Sequence, residues 1–470
     1  MTDLRLDTVR QAHFVGIGGC GMSGAARILL ARGVRVTGSD QTPGHIARDL
    51  ESRGVRLMTG HSPGNILDGT DLVVMTAAAS PSNPELLEAM ARGIRIVKYA
   101  AVLGALMEPF RGIAIAGTHG KTTTTSMAAT ILMEGGFDPT FVIGGEVDAL
   151  GGNARSGGGP FFVAEACEYD RSFLNLHPEA AVVTNVEVDH VDYYRDLDEI
   201  VDSFRSFVAG IKPKGLAVVH ESAAPALASA CGGDVRIASY GLSEGVDFRI
   251  RSVNPIGSAA YAFVLDRRGF AEPLRIRLRV PGTHNVLNAA GAAAALSSLG
   301  VPGEAIERGL ARFEGAKRRF QHKGDVGGVR VIDDYAHHPT EIRAVLDTAR
   351  ASFPERRIWV VFQPHQASRT RFFLDEFAHA LHGADRVVVS DIYFARDSEI
   401  ERASVSSGDL AARVGRLGTD AVSIPSMGEI LEYLRGQLRP GDVVFTMGAG
   451  DVTRLSEQLL GGVVPETHAR

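Results

Sequence analysis

The chain has 470 residues, 45% of them hydrophobic and 22% charged, with a formal net charge of −6. That length exceeds what one core organises and implies two to four domains. A net negative chain has no general basic surface, so nucleic-acid binding by bulk electrostatics is excluded, and any anion must be held by glycine loops and a few Lys or Arg.

Cys20, Cys167 and Cys231 are too few and too far apart for a metal motif or disulfide framework, which fits a reducing compartment. The first residues lack the apolar core of a signal peptide. No run approaches the ~18 apolar residues that span a bilayer, residues 289–296 coming nearest. We therefore expect a cytoplasmic protein without membrane contact, monomeric or homodimeric.

Apolar strand-like runs alternate with helical patterns, which predicts an α/β fold with largely parallel sheets. In the first segment, residues 1–111, strands are expected at 13–17, 34–37, 72–76 and 94–97, with a linker at 108–112. Between the first of these and a helix lies GIGGCGMSG. Gly16, Gly18 and Gly21 have the spacing of a Rossmann fingerprint, with Gly19, Met22 and Ser23 in the same loop and Asp40 at the end of the next strand. The same physics serves NAD or a nucleotide sugar, since both carry a diphosphate on a nucleoside.

The second segment, residues 112–323, opens with IAIAGTHGKTTTTSM. An apolar strand, a glycine turn and a helix start form a cradle for polyphosphate. Gly117, Thr118, His119, Gly120 and Thr123 surround the phosphates, Lys121 reaches the terminal ones, and the Thr122 hydroxyl is placed for Mg²⁺. The loop is a shortened form of the general pattern, with Ile115 where the first glycine would stand. Further strands are expected at 161–165, 181–184 and 216–219, antiparallel strands between 235 and 280, a surface loop at 151–159, and helices at 285–298 and 303–313. Glu165 and His190 fall at or just after strand ends, on the sheet edge that carries the phosphate loop, within reach of metal ions beside Lys121. Mg²⁺ prefers oxygen, so a histidine ligand is unusual. The third segment, residues 324–470, has expected strands at 329–333, 358–362, 386–390 and 443–447.

GIGGCGMSG, AGTHGKTTT, AEACEYD, TNVEVDH, GTHNVLNA, AKRRF, DDYAHHPTEI, FQPHQASRTR and TMGAGD occur in the order and spacing of the Mur ligases, and the chain resembles that family over nearly its whole length. The resemblance implies a Rossmann-like UDP-sugar domain, a central P-loop ATPase-like domain with a parallel sheet and antiparallel edge, and a Rossmann-like C-terminal domain for the amino acid. In the branch it most resembles, ATP drives the joining of L-alanine to UDP-N-acetylmuramate. Val191 to Ile211 contain no lysine, in keeping with that branch.

By the same resemblance Glu165, with Thr122, and His190 hold Mg²⁺. His284, Asn285 and Asn288 lie by the adenine, Arg319 meets the γ-phosphate, and Asp334 sits at the domain closure. Tyr335, His337, His338, His365 and Arg369 face the amino acid, Arg369 as a bidentate partner for its carboxylate. Helix capping by Thr283 or Asn285, and by one of the two adjacent histidines, is the plainer alternative. Two departures stand out: Gln366 replaces an arginine frequent in relatives, and Ala77, Ala78 and Ala79 replace a serine pair, with Ser80 shifted. The alternatives are the family branch that rejoins a tripeptide to the same sugar, an NAD(P)-linked oxidoreductase, which leaves GTHGKT unexplained, and a non-catalytic nucleotide sensor.

Overall fold

The computed structural model describes residues 4–230, 234–257 and 259–461, so Cys231 lies outside the described residues. The first sheet holds β1 (Gln11–Val15), β2 (Arg35–Asp40), β3 (Arg56–Thr59), β4 (Leu72–Met75) and β5 (Arg95–Lys98), flanked by α1 (Cys20–Ala31), α2 (His45–Ser52), α3 (Pro84–Ala91) and α4 (Tyr99–Met107). Its order is β3-β2-β1-β4-β5, all parallel. Strand order reverses beside β1, and that is where the loop of Gly16 to Ser23 leaves the sheet.

The second sheet has ten strands: β6 (Arg111–Ala116), β7 (Thr140–Val147), β8 (Gly152–Arg155), β9 (Phe161–Glu165), β10 (Ala180–Val183), β11 (Leu216–His220), β12 (Arg236–Gly241), β13 (Phe248–Ile256), β14 (Ala260–Arg267) and β15 (Leu274–Leu278). Its order is β15-β14-β13-β12-β11-β10-β6-β9-β7-β8. It is covered by α5 (Lys121–Glu134), α6 (Leu197–Ala209), α7 (Ala224–Leu227), α8 (Thr283–Ser298) and α9 (Gly303–Arg312). The middle strands are buried on both faces and read as apolar runs, whereas β15 alternates buried Leu and Ile with exposed Arg, as an edge strand with one wet face does.

The third sheet holds β16 (Gln321–Val326), β17 (Val329–Asp334), β18 (Ile358–Phe362), β19 (Arg386–Val389), β20 (Asp420–Ser423) and β21 (Val443–Met447), in the order β16-β17-β21-β18-β19-β20. Only β16 pairs antiparallel. Here α10 (Pro339–Ser352) follows β17 and α11 (Ala367–Phe372) follows β18.

Several expectations need correction. The stretch 151–159 is not all loop: β8 lies inside it, paired antiparallel with β7. The antiparallel edge is confined to β13–β15, because β12 runs parallel to both β11 and β13. A division at 111/112 cuts β6, and one at 323/324 cuts β16, whose pairing with β17 binds it to the third sheet. Helix α8 starts two residues before the expected 285 and α9 ends one before 313.

The first two sheets are joined by apolar contact. Met22, Ala25 and Ala26 of α1 share one core with Val142 of β7 and Ala154 of β8. A Cβ on Gly24 would lie 2.8 Å from a Val142 methyl, so α1 lies that close because position 24 has no side chain. The Asn153 amide donates to the Cys20 carbonyl (2.6 Å) and the Ser23 hydroxyl (3.1 Å). Gly104 of α4 likewise backs onto the carbonyl of Asn175 in the central domain. Because backbone stands in the way, Gly104→Ala should destabilise the protein by ~1–3 kcal/mol through overpacking, read as a lower urea midpoint.

Candidate functional site

The phosphate loop leaves β6 where strand order reverses, with β9 on one side and β10 on the other. Gly117 (φ +136°) and Gly120 (φ +82°) adopt left-handed backbone, and a Cβ at either would run into Thr184 or Asn288. Gly120 is the N-cap of α5, so the first N–H groups of that helix open toward the loop. Thr125, Ser126 and Thr130 return their hydroxyls to carbonyls one turn back (2.6–2.8 Å), which accounts for a threonine-rich helix that stays buried.

Lys121 is almost enclosed. Its Nζ donates to the carbonyls of Gly117 (2.6 Å) and Thr118 (3.0 Å) and to Glu168 Oε1 (3.0 Å). Burial works against its charge, but Glu168 outweighs it and holds the ammonium firmly protonated. Thr122 Oγ1 donates to Glu165 Oε2 (2.9 Å), which also accepts from the Gly144 N–H (2.8 Å). The Nε2 of His190 meets Glu168 Oε1 at 3.2 Å, and its Nδ1 is buried with no hydrogen-bond partner among the described residues. Glu168, only 3% exposed, therefore links Lys121 to His190, and the Lys121 charge and the His190 hydrogen bond keep its carboxyl ionised against burial. It lies in the turn after β9, beyond the strand-end position that singled out Glu165.

His119 lies between two carboxylates, Nδ1 at 3.2 Å from Glu341 and Nε2 at 3.5 Å from Glu187. Burial would lower its pKa, but these partners raise it to about 9. Among the described residues, His119, Glu187 and His338 are the one group of three His, Cys, Asp or Glu side chains close enough to share an ion. Both nitrogens of His338 are already used, however. Nε2 faces the Val188 carbonyl (3.1 Å) and Nδ1 accepts from the Thr340 N–H (3.3 Å), capping α10 as the plainer reading of that histidine anticipated.

From the third domain, Asp334 ends β17 with its oxygens accepting from the N–H groups of Phe320 and Ala336, both 2.7 Å. Burial raises its pKa to about 6 despite nearby Arg319. Of the arginine pair, Arg318 is committed to Asp333 (3.1 Å) and to carbonyls of Gly448 and Gly450. Arg319 instead lies over Tyr335 (5.2 Å) and lines a cavity of about 280 Å³ together with Gly120, Thr123, Asn185, His284, Asn285, Asn288, Asp334 and Glu341. Neither Thr283 nor Asn285 caps α8: the N-cap is Gly282, and the Asn285 amide donates to the Pro281 carbonyl (2.7 Å). Burial pushes His284 down to about 4, so it faces the cavity as neutral imidazole.

His337 meets Glu341 (3.2 Å) and lies edge-on to His365, ring centroids 6.3 Å apart. Burial and then Arg369 push His365 down to about 3. Arg369 is not open to a ligand carboxylate as expected; it is 3% exposed and its guanidinium grips Asp189 of the central domain at 2.9–3.0 Å.

In the first domain, Gly16 (φ +79°) starts the turn and Gly18 donates to Asp40 Oδ2 (3.0 Å), while Asp40 Oδ1 accepts from Thr42 (3.1 Å). Gly21 allows Tyr99 to lie against the loop, since a Cβ there would come within 2.6 Å of its ring. Met22 and Ser23 are buried against the central domain rather than open to a ligand, with Ser23 Oγ bonded to Cys20 and Asn153. Burial and then Glu165 push the Cys20 thiol up to about 11.

Family models match three stretches in succession: the Mur ligase family catalytic domain at residues 11–111, the Mur ligase middle domain at 115–296 and the Mur ligase glutamate ligase domain at 318–450. The chain belongs to the Mur ligase family. A relative from Geobacter named UDP-N-acetylmuramate–L-alanine ligase is 46% identical over 456 residues, 96% of this chain and 97% of its own. Among solved structures, UDP-N-acetylmuramate–alanine ligase of Thermotoga maritima superposes with a TM-score of 0.81 at 29% identity, covering 96% of this chain and 98% of that one. A murein peptide ligase from Psychrobacter arcticus reaches 0.75 at 26% identity, covering 98% and 100%.

The raised pKa of His119 has a signed consequence. Against an unfolded value of ~6.5, its stabilisation is complete below that pH and is lost as pH rises through about 9. The stability advantage of the native chain over His119→Gln should thus shrink by up to roughly 3 kcal/mol between pH 6 and pH 10. Urea midpoints of both proteins across that range measure it.

Proposed function

We propose that this chain joins L-alanine to UDP-N-acetylmuramate at the expense of ATP, through an acyl phosphate, in cytoplasmic synthesis of peptidoglycan precursors. The observation that carries the reading is the placement of the two glycine loops. The loop after β1 is fixed by an apolar contact against β7, whose Gly144 binds the carboxylate next to Thr122. A nucleotide sugar in the first loop and a triphosphate in the second thereby face one another. The choice of alanine over a peptide follows the relative at 46% identity rather than the peptide ligase at 26%.

A carboxylate is a poor acylating agent. Transfer of the γ-phosphoryl group to a carboxylate oxygen of the sugar releases ADP and gives the acyl phosphate. The alanine amine then attacks that carbonyl carbon, phosphate leaves with the C–O electron pair, and the amine gives up a proton. No enzyme nucleophile is required, so catalysis rests on position and charge. The loop N–H groups and Lys121 neutralise phosphate charge, and Arg319 reaches the γ-phosphate from the domain junction. His284, Asn285 and Asn288 surround the adenine, with Asp334 on the closing side. Tyr335, His337 and His365 border the amino acid, while His338 and Arg369 hold the two domains in register.

Thr122 and Glu165 supply the hard oxygens that suit Mg²⁺, and the partnerless Nδ1 of His190 is a further donor. Mg²⁺ held there supplies countercharge to the transferring phosphoryl group.

ADP release with UDP-N-acetylmuramate, tested with one amino acid at a time, should depend on L-alanine; turnover with a tripeptide alone overturns the reading. Glu165→Gln should lower kcat by ~100-fold or more with little change in melting temperature. Lys121→Ala should abolish turnover and also lose ~3–5 kcal/mol of stability, because it leaves the buried Glu168 carboxylate without its cation and with only His190 beside it. Thermal unfolding beside the activity assay separates the two variants.

A further inference from the structure

The proposed reaction needs a cation for the carboxylate of the incoming amino acid, and neither expected arginine is free to serve. Position 366 carries glutamine, and Arg369 is buried on Asp189. An α-amino acid is short, so its anchor must lie within about one side chain of the centre its amine attacks, near Lys121 and His190.

We propose that Arg396 is this anchor, a substrate-binding residue for the amino-acid carboxylate that replaces the charge absent at position 366. This rests on the ligase reading above.

Three observations support it. Arg396 lies over the Tyr169 ring at 4.3 Å, and the same ring lies 5.1 Å from His190, so the guanidinium stands one aromatic ring from the reacting centre. Its Nε donates to Asp192 Oδ2 (3.0 Å), while its two terminal nitrogens have no hydrogen-bond partner among the described residues. One edge thus fixes the plane and leaves a forked pair of donors, the geometry that suits a carboxylate. With its side chain 37% exposed, Arg396 is open to a ligand in a way that Arg369 is not.

The glutamine explains how the arginine is held. Gln366 Nε2 donates to the carbonyl of Ala395 (3.2 Å) and to the same Asp192 oxygen (3.4 Å), and its backbone N–H donates to Tyr393 (3.0 Å). Gln366 and Arg396 both have φ +70°, a conformation sparsely populated by residues with a Cβ. Outliers of this kind, here both anchored on Asp192, are typical of functional sites. An arginine at 366 would compete with Arg396 for Asp192, so the two positions act as alternatives.

The test is steady-state kinetics with L-alanine varied at saturating ATP and UDP-N-acetylmuramate. Arg396→Ala should raise KM for L-alanine by ~10- to 100-fold, the scale of a lost charged hydrogen-bond pair, with kcat and the KM values of the other two substrates within ~2-fold. Arg396→Lys should fall between, because a point charge replaces a fork. Gln366→Arg in the Arg396→Ala background should restore much of the loss. If Arg396→Ala does not fold, Arg396→Gln, which keeps a donor for Asp192, serves in its place. An unchanged KM for L-alanine in a folded variant overturns the proposal and leaves the ligase reading intact. A native enzyme inert with L-alanine overturns both.

Discussion

Glu168 is the constraint on which the site depends. A carboxylate 3% exposed is tolerable only if opposite charge and hydrogen bonds repay its lost hydration; Lys121 supplies the charge and His190 a hydrogen bond from the other side. The turn that carries it is fixed as well: the Glu168 carbonyl accepts from the Tyr194 hydroxyl (2.6 Å) and from the Arg171 N–H (2.9 Å). The result is a lysine with a predetermined charge and direction, pulled across the mouth of the phosphate loop. Positioning of this kind supplies much of phosphoryl-transfer catalysis, because the protein contributes fixed charge rather than covalent chemistry.

The two domain junctions are built from different forces. Between the first and central domains an apolar core, set close by Gly24 and Gly104, is rimmed by polar contacts such as Asn153 on Cys20 and Lys98 on Asp170 (2.5 Å). Between the central and third domains the contact is largely polar: Arg369 on Asp189, His119 on Glu341, Thr340 on Glu187 (2.7 Å), and His338 on the Val188 carbonyl. Apolar contact has no substitute partner in water, whereas a charged group can exchange one counter-ion for another. The central–third junction is thus the one whose contacts a charged group can compete for, while the apolar core between the first two domains sets the distance between the glycine loops.

How far the sequence disclosed this can be judged residue by residue. Strands β9, β18 and β21 were bounded correctly, because a strand buried on both faces is a continuous apolar run. The phosphate loop was legible for the same reason: glycines forced by backbone geometry and a lysine at fixed spacing are local signals. Strand β8 was read as loop because GNAR has no strand propensity, and its pairing comes from distant β7. Glu168 was passed over because it follows the strand end by three residues, in a turn where Asp170 and Arg171 take left-handed backbone that no periodicity predicts. The role expected of Arg369 failed for a related reason: its partner Asp189 lies 180 residues away in the chain, and only the docked domains bring the two together.

That failure also locates where individuality enters a shared fold. The first two sheets each put a glycine turn where strand order reverses, and these turns follow from backbone constraints that leave little room for change. The groups around the amino acid are held instead by side chains across a domain junction, where one hydrogen bond can be exchanged for another at small cost. His190, Arg318, Phe320, Gln366 and Arg396 all take left-handed backbone without being glycine, and Gln366 and Arg396 both reach across to Asp192 of the central domain. Strain of about 1 kcal/mol or more at each persists only where surrounding contacts outweigh it. A glutamine at 366 can then stand beside Arg396 on the shared Asp192 carboxylate without altering the frame that positions both.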